Sequence, residues 1–531
     1  MSGGVLIRGA RLVDGTGAPW RRADVRVAEG RIAAVGADLA AGDGEVVDAE
    51  ERYLAPGFID AHCHDDLVTL RDPQRPEKIL QGVTTVVVGN CSFSLYPATD
   101  ASRSPLARHF GSLLGETRAE EIFADFDGYR RRIAANGAAL NVVSLVGHAA
   151  LRLAVVGFEM RPATEGERRA MQALLARQLA QGAAGLSLGL VYPPSAYADG
   201  AELVALAETT AAHGKLLAAH VRSYEAELGA AVDEFLDVLR ASGCAGLLSH
   251  LQSAGRPNWG AVAGAVERLE RARAEGVDVA FDMYPYLAGS STILQLLPPE
   301  AQAGGVAGLL ARLDDSAERA KWRAWVESET ESRGRSKVAL IGWENVQLCA
   351  IESPALKRLE GQNMVEAARA FGVAPFDLLV RLVRETAGGA GVILFQLDER
   401  DVRCACSHRL HMYGSDGLPR AGAKPHPRAF GAFPRALGRL SRAGWHSLED
   451  AVRRCTAAPA SRFGLTDRGL VRPGMVADLT LFDADIRDNA TFDQPTLPPT
   501  GVNRVWVGGE CVVRNGAPTG ALPGRVIPEP A

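Results

Sequence analysis

The sequence predicts an α/β protein, a (β/α)₈ TIM-type barrel with a small β-sandwich domain formed from both chain termini. Two observations support this fold. The middle of the chain alternates short, almost continuously apolar segments with helical stretches, which is typical of a parallel sheet buried on both faces. The two ends instead contain short β-type segments separated by turn signals such as Asp14-Gly15 and Glu29-Gly30.

Eight apolar segments are predicted to be the parallel barrel strands. They lie at 57–62, 85–89, 140–146, 185–188, 216–220, 246–250, 278–283 and 411–416. Helical periodicity occurs between them at 162–181, 199–213, 225–241 and 258–275. Residues 56–469 are therefore assigned to the barrel, although a strand-like segment at 392–397 leaves the strand count open by one. The stretch at about 291–400 exceeds the length of one connection, so we predict an insertion after strand seven, over the barrel mouth.

The β-sandwich domain is predicted to combine residues 1–55 with residues 470–531. Near the start of the chain, strands are expected at 5–7, 24–27, 31–35 and 46–48. Near the end they are expected at 478–482, 504–507 and 510–513, with Gly508-Gly509 as a hairpin turn.

The composition argues against several classes of protein. With 47 % hydrophobic and 23 % charged residues among 531, the chain is typical of globular proteins. The net charge of −5 argues against broad nucleic-acid binding, which requires a basic face. No apolar run approaches the ~20 residues of a membrane-spanning helix, so no membrane association is expected. The start of the chain lacks a signal-peptide pattern, so a cytoplasmic location is expected. The eight scattered cysteines do not indicate a disulfide framework.

A His-x-His pair provides the strongest chemical signal in the sequence. His62 and His64 are two residues apart, and on a strand both imidazoles point to the same side, where they can share one metal ion. The pair falls at the carboxyl end of the first predicted strand, the end at which barrel active sites lie. The alternative is two incidental histidines, which the small number of histidines in this chain (11) disfavours.

Two further histidines each close a predicted strand. His220 and His250 could each be a core residue, but their positions on consecutive strands of the same barrel favour metal ligation. Arg222 follows His220 by two residues and should face the same way. It is expected either to bind an anionic substrate or to pair with an acidic neighbour such as Glu225.

Asp416 and Cys91 each have two readings. Asp416 ends the last predicted strand, where a carboxylate beside a metal ion can deprotonate a bound water; the alternative is an ordinary turn aspartate before Gly417. Cys91 follows an apolar strand. It is either a buried small hydrophobic residue or a thiolate ligand, for which zinc is well suited.

Taken together, these residues resemble the amidohydrolase superfamily, and within it the N-acyl-D-amino-acid deacylase (D-aminoacylase) family. The match runs from the first strand to Gly474-Met475-Val476-Ala477-Asp478. The motifs that carry it are 55–60, His62-Cys63-His64-Asp65-Asp66, 82–91, Gly147-His148, 185–192, 220–223, Asp282-Met283-Tyr284-Pro285-Tyr286, 415–419 and Pro425-His426-Pro427-Arg428.

The resemblance implies a zinc hydrolase that cleaves an N-acyl amide to a carboxylate and a free D-amino acid. In that family a cysteine ligates the metal, and Cys91 matches it. Cys91, His220 and His250 would hold the tighter zinc, whereas His62 and His64 would form a second, weaker site. Asp416 would act as general base and then as general acid.

The resemblance also implies a set of substrate-binding residues. Tyr284 and Arg428 match residues that hold the α-carboxylate, and Tyr192, Arg222 and Gln252 complete the expected set. The small β domain from both chain ends likewise matches these enzymes.

One position departs from the family pattern. Two residues after His250 the family commonly has a lysine that helps to bind the carboxylate, whereas this chain has Gln252. Glutamine keeps its hydrogen bonds but lacks the charge, and a charge-assisted hydrogen bond contributes about 1.5–3 kcal/mol. Lys424 and Arg420, in an altered loop at 420–424 that includes Ala421, are candidates to restore it.

Two other functions remain open, the first of them because of Gln252. One is hydrolysis of a cyclic or otherwise unusual amide on the same metal site. The other is a non-catalytic binding or assembly barrel, which the complete set of candidate ligands disfavours.

Overall fold

The computed structural model describes residues 4–40, 42–420 and 422–527, and it contains the expected barrel. The barrel strands, numbered 1 to 8 in chain order, are Phe58–Asp60, Val83–Val88, Asn141–Ser144 continued by Val146–Gly147, Gly185–Gly189, Leu216–His220, Ala245–Leu248, Val279–Met283 and His411–Tyr413. Parallel ladders join most neighbouring strands. Strands 8 and 1 meet where the Ala61 amide donates to the Tyr413 carbonyl at 3.2 Å. The predicted (β/α)₈ fold is confirmed.

Several barrel strands are shorter than predicted at their carboxyl ends. Strand 1 ends at Asp60 rather than at residue 62, and strand 8 ends at Tyr413 rather than at residue 416. The backbone then leaves the β region, since Asp416 has φ +47° and His250, after strand 6, has φ +36°. Most candidate metal-site residues therefore lie on the loops just beyond the strands, whereas His220 is the last residue of strand 5.

Helices surround the barrel. The α-helices outside the insertion are Val68–Arg71, Pro76–Ile79, Asp100–Leu114, Phe126–Asn136, His148–Val155, Glu165–Ala180, Gly200–Ala212, Leu228–Ser242, Ala261–Ala274, Glu399–Ser407, Arg428–Pro434, Leu448–Cys455 and Ala457–Arg462. The four helices predicted from periodicity are confirmed. Glu165–Ala180 begins where Thr164 and Glu167 form a reciprocal capping box, and Leu228–Ser242 ends at Gly243, whose left-handed φ of +67° stops the helix. Within the described residues, no helix is both long and apolar enough to cross a membrane.

Strands from both chain ends form one nine-stranded sheet. Its members are Val5–Leu12, Arg21–Ala28, Arg31–Gly36, Glu45–Asp48, Tyr53–Pro56, Leu479–Arg487, Thr500–Val507, Glu510–Arg514 and Ala517–Pro518. The two ends join where Leu479–Arg487 pairs antiparallel with Tyr53–Pro56. This pairing supports the proposed small domain of residues 1–55 and 470–531.

The segment between strands 7 and 8 has a separate sheet and a separate hydrophobic core. Three antiparallel strands, Gly289–Thr292, Val346–Cys349 and Gly391–Leu394, form the sheet. The strand-like segment near 392 thus belongs here and not to the barrel. Its helices are Gly305–Arg312, Ser316–Glu327, Glu329–Ser332, Lys337–Ile341, Met364–Phe371 and Pro375–Thr386. Trp322 and Phe376 are among the residues buried in its core. We call this segment the insertion.

Candidate metal centre

Three side chains from the ends of strands 1, 2 and 6 form the centre of the site. The Cys91 sulfur lies 3.3 Å from His62 Nε2 and 3.5 Å from His250 Nε2. All three residues are buried, and their ligand atoms lie within 4.8 Å of one another. The loops after the strands thus bring together residues far apart in the chain.

A second group shares His62 with the first. Asp416 Oδ1 lies 3.2 Å from His64 Nε2 and 3.6 Å from His62 Nε2. These three ligand atoms also lie within 4.8 Å of one another. Strands 1 and 8 are neighbours in the closed barrel, which explains why His64 meets Asp416.

His220 completes the expected set at the edge of the first group. Its ring lies 4.5 Å from that of His250, centroid to centroid. The structure thus places Cys91 with His62 and His250, and places His220 beside them. Within the described chain, the buried Nδ1 atoms of His64, His220 and His250 have no hydrogen-bond partner.

The donor atoms suit zinc in both chemistry and spacing. Thiolate, imidazole and carboxylate are the ligands that zinc takes in proteins, and a tetrahedral site with Zn–S ≈ 2.3 Å and Zn–N ≈ 2.0 Å places the S and N atoms about 3.5 Å apart. The observed 3.3 and 3.5 Å from Cys91 agree with this separation. Burial raises the pKa of Cys91, but His62, His220 and His250 together hold it well below its usual value, which favours the thiolate.

The backbone is strained at three of the candidate residues. Cys91, His250 and Asp416 have φ values of +51°, +36° and +47°, in a region that non-glycine residues rarely adopt. Such strain costs of order 1–3 kcal/mol per residue and persists only where the surroundings impose it. Its coincidence with the cluster indicates side chains that are held in place for a function.

Asp282, at the end of strand 7, orients two members of the cluster. Its Oδ2 lies 3.2 Å from His62 Nδ1, and its Oδ1 accepts the His250 amide at 2.8 Å. Although burial lowers the pKa of His62, Asp282 and Cys91 raise it well above its usual value. A carboxylate on Nδ1 fixes the ring so that Nε2 faces the cluster.

A buried network of charges lies behind the loop that carries His62 and His64. Lys78 Nζ donates to Asp60 Oδ2 at 2.6 Å and to Ser415 Oγ at 2.9 Å. The Ser415 amide donates to Asp60 Oδ1 at 2.7 Å. This network joins the loop after strand 1 to the residue that precedes Asp416.

Arg428 lies next to Asp416, and Tyr284, Gln252 and Tyr192 line the same cavity as Asp416. Arg428 Nη1 is 2.9 Å from Asp416 Oδ2, and its guanidinium lies 4.4 Å over the ring of Tyr284. The Tyr284 hydroxyl donates to Gln252 Oε1 at 2.7 Å, and Tyr192 meets Ser291 of the insertion at 3.2 Å.

The cavity at this site is small and covered by the insertion. Its open volume is about 30 Å³, which is room for roughly one water molecule. The lining residues are His64, Cys91, Tyr192, His220, Tyr224, His250, Gln252, Tyr284, Asp416, Leu113 and Leu418, and from the insertion and its flanks Gly289, Ser290, Ser291, Gln295, Lys337, Leu394 and Gln396.

Comparison with known proteins identifies the family of this chain. Residues 45–219 and 354–513 match the model of the amidohydrolase family. The N-acyl-D-glutamate deacylase of Alcaligenes xylosoxydans xylosoxydans is 40 % identical over 525 residues, 98 % of this chain and 96 % of that protein. This chain belongs to the amidohydrolase family.

Two further relatives of this amidohydrolase confirm the resemblance to N-acyl-D-amino-acid deacylases. The D-aminoacylase of the same organism is 36 % identical over 526 residues, 98 % of this chain and 97 % of that one. The crystal structure of the N-acyl-D-glutamate deacylase from Bordetella bronchiseptica, complexed with zinc and a phosphonate mimic of the tetrahedral intermediate, matches with a TM-score of 0.84. The two are 36 % identical, and the match covers 99 % of this chain and 100 % of that one.

The structure of this amidohydrolase corrects the expected position of Arg222. Strand 5 ends at His220, so the alternation that would place residue 222 beside His220 does not continue. The Arg222 guanidinium instead pairs with Glu234 at 3.0 Å and donates to the carbonyls of Ala196 and Ala198. Glu225, the acidic neighbour suggested for it, pairs with Lys337.

Neither candidate for restoring the charge missing at Gln252 lines the cavity. Arg420 donates to the carbonyls of Ala350, Gly389, Ser112 and Leu113. The Lys424 amide donates to Glu360, and Ala421 of the same loop lies outside the described residues.

The sequence interpretation missed two kinds of site residue in this amidohydrolase. Asp282 appeared only as part of a family motif, although an aspartate at a strand end beside two candidate ligands could have suggested its role. Lys337 lies in the insertion, 85 positions beyond Gln252 by their numbering, and no local pattern points to it.

Proposed function

We propose that this amidohydrolase is a zinc-dependent deacylase that hydrolyses N-acyl-D-amino acids to a carboxylate and a free D-amino acid. One observation carries the proposal. The Asp416 carboxylate lies between His64, whose Nε2 is 3.2 Å away, and the Arg428 guanidinium, 2.9 Å away; His64 and Cys91, His62, His220 and His250 together are called the Cys/His cluster. A base, a set of metal ligands and a cation for a substrate carboxylate thus meet at one point.

The metal ligands would be the residues proposed from the sequence. Cys91, His220 and His250 would hold one zinc ion, and His62 and His64 would contribute to a second position. Zinc bound there would supply a Lewis acid that polarises the amide carbonyl and makes the attacking water more acidic.

Asp416 would carry the proton in both halves of the reaction. Burial raises its pKa, but Arg428, His64 and His62 hold it well below the usual value, so the carboxylate is ionised at neutral pH and can accept a proton from water. The same carboxylate then donates that proton to the amide nitrogen as the C–N bond breaks. Its surroundings keep it aligned, since His64 and Arg428 contact different oxygens.

The aromatic and amide residues beside Asp416 would bind the rest of the substrate. Tyr284 is fixed between Gln252 and Arg428, and its hydroxyl would exchange its bond to Gln252 for one to an anionic group of the substrate, beside the Arg428 guanidinium. Tyr192, on the opposite side near His220, would contact the remaining substrate. Because the cavity has an open volume of only about 30 Å³, side chains that line it would have to move to admit a substrate.

A panel of substrates tests the proposed function. Purified protein is assayed with N-acetyl-D-amino acids, their L-enantiomers and several cyclic amides, with and without a chelator, and its zinc content is measured. We expect zinc in the protein and chelator-sensitive hydrolysis of the D-compounds. Zinc with hydrolysis of the cyclic amides alone would replace the proposal with the alternative substrate class that neutral Gln252 leaves open.

A further inference from the structure

A substrate carboxylate entering this cavity meets one cation from the barrel, Arg428, which is shared with Asp416. Gln252 is neutral, and its Oε1 already accepts the Tyr284 hydroxyl at 2.7 Å. Arg428 is engaged by Asp416 at 2.9 Å and donates to the Ser290 carbonyl at 3.2 Å. The positive charge of Arg428 is therefore partly neutralised by the Asp416 carboxylate.

Lys337 is the one lysine or arginine that lines this cavity in the described chain. It is the first residue of the short helix Lys337–Ile341 in the insertion. The preceding Ser336 is buried; its hydroxyl accepts the Ala339 amide at 3.2 Å and donates to the Val326 carbonyl at 2.6 Å. The backbone that carries Lys337 is thus anchored to the core of the insertion.

The ammonium group is held by one partner and retains further donors. Lys337 Nζ pairs with Glu225, which is buried and also accepts from the Ser223 hydroxyl and the Tyr224 amide, each at 3.2 Å. An ammonium group has three N–H donors, so one bond to Glu225 leaves two for another acceptor. The side chain is 13 % exposed, less than a free surface lysine.

Lys337 also separates two cavities. With Gln295 it lines both the cavity at the metal centre and a neighbouring cavity of about 320 Å³. That volume is in the range of small-molecule sites. A substrate that occupies both cavities would place its charged group beside Lys337.

We propose that Lys337, held by Glu225, is the specificity-determining cation that binds a carboxylate of the substrate in this enzyme. This inference rests on the proposed function, since it requires an N-acyl amino acid as substrate. The group that Lys337 would bind is either the α-carboxylate or a side-chain carboxylate of the substrate, and the test distinguishes the two.

The test compares substrates with different carboxylates in the Lys337→Met variant. The substrates are N-acetyl-D-leucine, its neutral α-carboxamide and N-acetyl-D-glutamate. Loss of one charge-assisted bond predicts a fall in kcat/KM of about 10- to 100-fold for N-acetyl-D-leucine, mainly through KM, with less than about 2-fold change for the carboxamide. A loss confined to N-acetyl-D-glutamate would also support the proposal and would assign Lys337 to the side-chain carboxylate.

Matched variants separate binding from folding. Lys337→Met combined with Glu225→Gln removes the charge without leaving a buried unpaired carboxylate, and Lys337→Arg keeps the charge. Exposed Lys321 on the insertion helix Ser316–Glu327 provides the control, Lys321→Met. In the charge-balanced double variant, Gln252→Lys should recover part of the lost kcat/KM for the acids.

The outcomes distinguish this inference from the proposed function. If the wild type hydrolyses no N-acyl-D-amino acid, the proposed function fails, and this inference fails with it. If the wild type is active but Lys337→Met and the charge-balanced variant lose activity equally on acid and carboxamide, or lose none, only the role of Lys337 is overturned.

Discussion

The barrel and the insertion provide opposite walls of the same cavity, and they differ in how they are built. The barrel wall carries the candidate ligands and Asp416 on loops directly after strands, with strained φ values and buried partners such as Asp282. The insertion wall carries serine, glutamine and Lys337 on a three-stranded sheet and a short helix. The proposed reacting groups therefore lie on the barrel, whereas Lys337, the proposed determinant of substrate choice, lies in the inserted segment.

The largest expected effect tests the barrel wall. Asp416→Asn removes the proton acceptor while leaving the shape and the neighbouring histidines in place. We expect kcat to fall by about 10²- to 10⁴-fold with zinc content unchanged, because general acid–base catalysis contributes that much. Metal analysis and steady-state kinetics check this, with exposed Asp493→Asn as the control. Near-full activity in Asp416→Asn would show that the barrel wall does not supply the proton acceptor.

The next effect concerns the stability of the barrel wall. Lys78 is fully buried and bridges Asp60 and Ser415, so Lys78→Met leaves a buried carboxylate without its cation. Breaking such a pair lowers the free energy of unfolding by about 3–5 kcal/mol. Urea denaturation measures it against exposed Lys321→Met, for which a change within about 0.5 kcal/mol is expected. Equal stability of the two variants would show that this network does not support the loops.

A third effect is a dependence of stability on pH. Buried Glu202 meets His148 Nε2 at 2.7 Å and pairs with Arg152. Burial raises the pKa of Glu202, but the contacts with His148 and Arg152 lower it to about 2. Because the folded-state pKa is depressed, this stabilisation is complete above the unfolded pKa near 4.5 and is lost as the pH falls toward 2.

We expect that loss to amount to about 2–3 kcal/mol in the free energy of unfolding. Glu202→Gln should therefore flatten the decline between pH 5 and the lowest pH at which the protein folds, measured by denaturation at each pH. Glu208→Gln, on the exposed face of the same helix, should leave it unchanged. An equal decline in both variants would assign the acid sensitivity to other groups.

The smallest effect tests the corrected position of Arg222. Arg222 lines the neighbouring cavity of about 320 Å³ but not the cavity at the metal centre, and its guanidinium is engaged by Glu234 and two carbonyls. Arg222→Met should therefore change kcat/KM by less than about 2-fold. The half-exposed ion pair contributes at most about 1 kcal/mol to stability. A tenfold loss of kcat/KM, measured on the same N-acyl-D-amino acids, would return Arg222 to the substrate site.

The contrast between the walls also explains what could be predicted from the sequence. His62, His64, His220 and His250 were predicted as candidates because apolar strands mark their own carboxyl ends and those ends converge in a barrel, whereas the role of Asp416 came from the family resemblance. The structure brings these residues together. Two other residues could not be placed correctly from the neighbouring sequence. Arg222 was misplaced because its strand ends at His220, and alternation holds only within a strand.

Lys337 was missed for a different reason. It is brought to the site by packing of the insertion, and nothing in the neighbouring sequence distinguishes it from a surface lysine. Asp282 and Lys78 were partly predictable from the sequence. Both are polar residues at or near barrel strands, but their partners are set by contacts across the barrel rather than by spacing along the chain.

The most direct test of the central claim is a titration of activity against zinc. The purified protein is stripped with a chelator, and hydrolysis of an N-acetyl-D-amino acid is followed as zinc is added back and counted per chain. We predict that activity disappears with the metal and returns as about one zinc ion binds each chain. Undiminished hydrolysis by metal-free protein would contradict the claim that the Cys/His cluster carries the chemistry.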